Sequence, residues 1–243
     1  MADTVESSFG TMLLLTTLAA AAMPLGGWLA MIERLHPSWL EKELRHTILA
    51  FGAGVLMAAV SLVLVPEGVV EMPLPWIVIC FVGGGVGFML LDIGLARRKT
   101  AASQMAAMLA DFLPESLAMG AAFALGHASG FSLALLIALQ NLPEGFNAFR
   151  EMAGRSRVKG RRVLVLMVLM VPLGPLMGWL GSAWLASQTQ CLHGIMLFAA
   201  GGILYAIFQD MAPKVPLSRH WSPPMGAVVG FAVGLVGNLL IAG

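Results

Sequence analysis

Two stretches, MLADFLPESLAMG (108–120) and LIALQNLPEGFNA (136–148), set Pro-Glu pairs inside otherwise apolar runs. Aligning Pro114 on Pro143 pairs Asp111 with Gln140, Phe112 with Asn141 and Glu115 with Glu144. In a helix, residues i and i+4 share one face. Asp111 therefore stands over Glu115, and Gln140 over Glu144. Each proline lacks an N–H and frees a carbonyl one turn earlier, at Ala110 and Leu139. The meaning of this pattern depends on the solvent around it.

Composition decides that solvent. Hydrophobic residues make up 58% of the 243 positions and charged residues 11%, with a mean hydropathy of +0.86. A soluble domain carries about a quarter charged residues, so this chain has too few to cover a water-facing surface. A transmembrane helix takes about 20 apolar residues. Apolar runs fall at about 10–32, 45–66, 73–96, 102–127, 130–149, 163–186, 193–212 and 222–242. The period-2 alternation of a β-barrel is absent from them. The expected fold is an all-α polytopic membrane protein of eight transmembrane helices, with residues 1–243 forming one transmembrane domain.

Charge placement supports that number independently. Arg34, Lys42 and Arg45 fall between runs one and two, and Arg97, Arg98 and Lys99 between three and four. Arg150, Arg155, Arg157, Lys159, Arg161 and Arg162 fall between five and six, and Lys214 and Arg219 between seven and eight. These are all fourteen Lys and Arg residues. The positive-inside rule places those four loops in the cytoplasm and both termini outside. The basic loops read as solvated segments that fix orientation, with 150–162 also able to touch anionic lipid, and no nucleic-acid partner is expected. The acidic start, MADTVESSFG, lacks the basic n-region of a cleaved signal peptide. Cys80 and Cys191 are not expected to pair, and the five histidines fall at run ends or in loops.

Ionisable residues within apolar helices cost about 2.5–3.5 kcal/mol each on insertion scales and default to functional hypotheses. Carboxylates facing each other across a helix pair repel unless protonated or bridged by a cation. Pro-interrupted helices with oxygen ligands at the midplane are what transporters use for ion sites. Two other readings stand beside this one. The prolines could simply kink helices whose acids pack, or the paired acids could serve an intramembrane hydrolase.

The chain resembles the ZIP (Zrt-/Irt-like) family of metal transporters, most closely its bacterial GufA-type branch. The resemblance rests on ADFLPES, LQNLPEG, AFGAGVLMAAVSLVLVPE (50–67) and FAAGGILYAIFQDMAP (198–213), in that family's order and on its helices. It implies a 3+2+3 inverted-repeat bundle, a homodimer in the bacterial inner membrane, and transport of a divalent ion (Zn, Cd, Mn or Fe) into the cytoplasm. The ion is the substrate; no resident cofactor and no enzymatic step are expected. Carried onto these positions, the resemblance implies a metal site of Met57, Asp111, Glu115, Gln140 and Glu144. Runs one, four, five and six would form the moving bundle of an elevator.

The departures from the family pattern carry expectations too. Asp111 stands where the family usually has histidine, which makes the ligand set harder and favours Mn²⁺ or Fe²⁺ without excluding Zn²⁺ or Cd²⁺. Phe112 and Val171 stand where the family builds a second metal site, leaving only Asn141 of it, so one ion is expected rather than two. Asp210 is either an exit-route ligand or an interfacial acid paired with Lys214. Glu67 and Glu71 either gather cations at the entrance or sit in a plain solvated loop. A chain that binds metal but moves it poorly, as a sensor or a regulated leak, is the alternative function.

Overall fold

The computed structural model describes residues 2–33, 38–96, 101–153, 157–215 and 221–242, which are helical apart from short turns. In chain order the helices are α1 (Ala2–Glu33), α2 (Ser38–Ala59), α3 (Val65–Gly68), α4 (Leu74–Ala96) and α5 (Ala101–Ala124). They continue with α6 (Ser129–Ala153), α7 (Arg157–Met170), α8 (Leu173–Ala183), α9 (Thr189–Ala206) and α10 (Ser222–Ala242). Every apolar run has a helix over it. The sixth is broken into α7 and α8 by the turn at Val171–Pro172, where the proline withholds an N–H. Of the basic loop residues, Arg34, Arg97, Arg98, Lys99, Arg155 and Arg219 lie outside the described residues.

Seven of the described spans are long and apolar enough to cross a membrane. The remaining helix, α6, is 25 residues long and falls short only in hydropathy. Its Gln140, Asn141 and Asn147 are buried inside the bundle. The surface is the inverse of a soluble protein's. Trp76, Ile79, Val82 and Leu90 of α4 and Val229, Val236 and Leu240 of α10 point outward, an apolar exterior that only lipid tolerates on this scale. The chain is a multi-pass membrane protein.

Close glycine contacts join the helices in four pairs. A methyl group on Gly26 (α1) would fall 2.0 Å from the Leu142 carbonyl oxygen (α6), and one on Gly145 (α6) 2.0 Å from that of Met23. The same reciprocal contact joins α5 to α8, through Gly120 and Gly181, and α2 to α10, through Gly54 and Gly230. It joins α4 to α9 through Gly84 and Gly201. Backbones this close gain dispersion contact that apolar association in lipid does not otherwise supply.

The pairs are related to one another. Phe51–Val60 and Phe198–Ile207 align as FGAGVLMAAV and FAAGGILYAI, an internal repeat. Each is followed by a five-residue π-helical turn, Val60–Leu64 and Ile207–Met211. Proline follows each turn at the same distance, as Pro66 and Pro213. Proline removes one donor from the ladder, and the turns instead close through Val65 N–H to Val60 O and Ala212 N–H to Ile207 O.

Between α5 and α6 the chain reverses in four residues. Gly126 takes φ +73°, the left-handed value that glycine adopts without penalty. His127 N–H reaches Ala122 O at 3.0 Å and Gly126 N–H reaches Phe123 O at 3.1 Å, closing the α5 C-terminus as a Schellman motif. This tight reversal sets the two Pro-Glu helices antiparallel and adjacent.

Valine at Gly54 or Gly201 is expected to cost about 1–3 kcal/mol through overpacking. Thermal unfolding in detergent would read this as a lowered midpoint. Gly83→Val, where no atom lies within 4 Å of the added carbon, is expected to be unshifted. Equal midpoints for all three variants would remove the close contacts from the account.

Candidate metal-ion site

Both α5 and α6 run through their prolines as continuous helices, so the i, i+4 register holds across each Pro-Glu pair. The facing surfaces meet in the bundle centre. There Gln140 Nε2 donates to Glu115 Oε2 at 2.5 Å, with Glu115 0% and Gln140 2% exposed. This is the cross-helix contact between the two motifs.

Asp111 and Glu144 face elsewhere. Both line a cavity of about 480 Å³ that also takes in Asp92, Asn147, Tyr205 and Asp210. The charge of Asp111 acts on those of Glu144, Glu115 and Asp210, which places the four acids within electrostatic reach. Among the described residues, no salt bridge reaches Asp111, Glu115 or Glu144. Buried carboxylates with no cationic partner are costly in a low dielectric, and either a proton or a bound cation relieves that cost.

The unpartnered atoms carry the same message. Among the described residues, seven buried side-chain polar atoms lack a hydrogen-bond partner. Four of them are oxygens that only accept, on Asp111, Glu115, Gln140 and Asn147, all in this part of the bundle. A concentration of acceptors without donors fits a cation better than it fits an anion or a neutral polar solute.

The expected ligands do not all converge. Met57 is half-buried and packs against the apolar core; it does not line the cavity. Among the described residues, no three His, Cys, Asp or Glu side chains approach closely enough to hold an ion together. Glu115 and Gln140 form one buried pair, and Asp111 and Glu144 stand on the cavity wall. Asp210 is exposed on that wall. Lys214, a possible partner for Asp210, lies 3.6 Å from Glu151 instead.

Beyond the central pair the packing is dry. Phe112 is 3% exposed, and a methyl on Gly174 would lie 3.1 Å from its ring. Asn141 Nδ2 donates to the Ala19 carbonyl at 2.8 Å, tying α6 to α1. Val171 sits at the α7–α8 break, packed against the core.

Several cavity residues escaped the sequence reading. Asp92 is the only ionisable residue within the third apolar run, and that isolation was a usable signal. Tyr205 Oη donates to Asp92 Oδ2 at 3.2 Å. Glu151 lies 3.7 Å from Arg45 and 3.6 Å from Lys214, joining α6 to α2 and to the chain beyond α9. Asn147, one helical turn past Glu144, had only its spacing to mark it.

Removing the central donor should be measurable as stability. Gln140→Leu leaves Glu115 buried with no partner, an expected loss of about 1–3 kcal/mol. Thermal unfolding of the purified variant checks it, and a midpoint equal to the parent's would show that Glu115 does not depend on this bond. Comparison of the chain with protein-family models and with curated proteins finds no match.

Proposed function

We propose that this chain is a divalent metal-ion transporter of the ZIP type, carrying Zn²⁺, Cd²⁺, Mn²⁺ or Fe²⁺ into the cytoplasm. The observation that carries this reading is the cavity wall formed by Asp111 and Glu144 on two Pro-containing helices, beside unpartnered acceptor oxygens, with the one lining cation, Lys214, at the mouth and paired with Glu151. Such a wall attracts a small cation and repels anions. A volume of about 480 Å³ admits an ion that still carries part of its water.

The reciprocal helix pairs support a 3+2+3 inverted repeat, with spans one to three repeated in reverse as six to eight and spans four and five between them. The exposed residues Glu151, Asp210 and Lys214 mark the cavity mouth. That mouth lies at the end of the bundle to which the four basic loops belong. Under the positive-inside rule this end is cytoplasmic, so the cavity opens inward and both termini lie outside. In an elevator motion the pairs α1–α6 and α5–α8 would move together against α2–α10 and α4–α9. The outer faces of α4 and α10 are available to lipid or to a second copy in a homodimer.

A single ion is the favoured occupancy. Phe112 fills the space beside Gly174, and the Asn141 amide is engaged by α1. One observation favours the second reading, a chain that binds metal and moves it poorly. The ligands stand in two separate pairs rather than one closed shell.

Uptake by proteoliposomes separates these readings. Saturable entry of Zn²⁺ or Mn²⁺ is expected for the parent chain, and at least about a tenfold loss for Glu144→Ala and for Asp111→Ala. Uptake unchanged in both variants would overturn the site. Tight binding by the parent chain with no uptake would favour the sensor.

A further inference from the structure

We infer that Asn147 is a cation ligand, one turn beyond Glu144 on the cavity wall, whose amide oxygen biases the site toward hard divalent ions. The inference rests on the transporter reading and adds a residue and a selectivity to it.

The geometry starts from the amide's orientation. Asn147 Nδ2 lies 2.9 Å from the Pro143 carbonyl oxygen, four residues back on the same helix. A carbonyl oxygen only accepts, so the group facing it must be the NH₂. That bond fixes which end of the amide points away, and the end pointing away is Oδ1. This oxygen is buried and accepts from no protein group, on a residue 7% exposed that lines the cavity. Glu144, Asn147, Ala148 and Glu151 all line that cavity from α6, the spacing of one helical face. Three residues of rise put Asn147 about 4.5 Å along the axis from Glu144, within the span of one partly hydrated ion.

A buried acceptor with no donor is a cost that the fold carries unless something supplies positive charge. Packing alone would not retain it, since alanine or leucine there would leave nothing unpartnered. The residue shares the cavity wall with Asp111, Glu144 and Asp210, and with Lys214 at the mouth, so its surroundings are mostly anionic. The wall also carries the thioethers of Met108, Met152 and Met211, and against that soft background the Asn147 amide oxygen adds a hard donor that favours Mn²⁺ over Cd²⁺.

Calorimetric titration of the purified full chain with MnCl₂ and with CdCl₂ tests the assignment, using Asn147→Ala, Asn147→Ser and Asn147→Asp. Serine keeps a donor for the Pro143 carbonyl but lacks the amide oxygen, whereas aspartate restores an oxygen and loses the donor. If Asn147 is a ligand, alanine and serine lower Mn²⁺ affinity about tenfold and Cd²⁺ affinity less, while aspartate matches or exceeds the parent. If the residue only braces the helix, serine behaves as the parent and aspartate is the weak variant, which overturns the proposal. Equal affinities across all variants overturn it as well. Loss of binding in Glu144→Ala, measured alongside, shows that the central site stands even where the Asn147 assignment fails. A parent chain that binds neither metal overturns both. Unfolding midpoints close to the parent's confirm that each variant is folded.

Discussion

In the hydrocarbon interior no water competes for polar groups, so each backbone amide and each side-chain oxygen must find its partner within the protein or in an ion. Much of the fold answers that constraint. Proline at positions 66 and 213 deletes a donor, and the chain compensates by shifting to π-helical bonds one residue longer. Asn141 reaches across to an α1 carbonyl, and Gln140 supplies the donor for Glu115. The compensation stops at the cavity wall. Oxygens on Asp111, Glu115, Gln140 and Asn147 are left without a donor, two of these residues on the cavity wall and two in the buried pair of α5 and α6.

Close glycine contacts decide how rigidly that wall is held. Each pair of helices is locked by reciprocal backbone approach, and α6 also packs on α2 and α10, where added carbons on Gly52 and Gly234 would lie 3.0 Å from Pro143 and Leu136. Arg45–Glu151 and Lys214–Glu151 span 3.7 and 3.6 Å with side chains a third to a half exposed. Exposed pairs of this kind contribute at most about 1 kcal/mol each. Such links add little to the packing, and the cavity beside them is lined from α2, α4, α5, α6 and the end of α9.

The membrane class and the helical runs were legible because they depend on composition and on the length of apolar stretches. Both are local properties of the chain. The internal repeat between Phe51–Val60 and Phe198–Ile207 was legible in principle. It is short and lacks the Leu-Pro-Glu core that drew attention to residues 113–115 and 142–144. The matching π-turns are what brought it out.

Tertiary structure alone decided which oxygen faces what. Helix geometry sets the angle between two side chains on one helix, but not which neighbour that face will meet. The neighbour is chosen by backbone approach at glycines far apart in sequence, such as Gly26 against Leu142 and Gly201 against Phe81. Once those contacts form, Glu115 turns to Gln140, Asp111 and Glu144 turn to the cavity, and Met57 is left in the apolar packing. Asp92, Tyr205 and Asn147 join the wall for the same reason. The sequence by itself determined that carboxylates would be buried in a membrane; the pairing of helices determined which of them face the cavity.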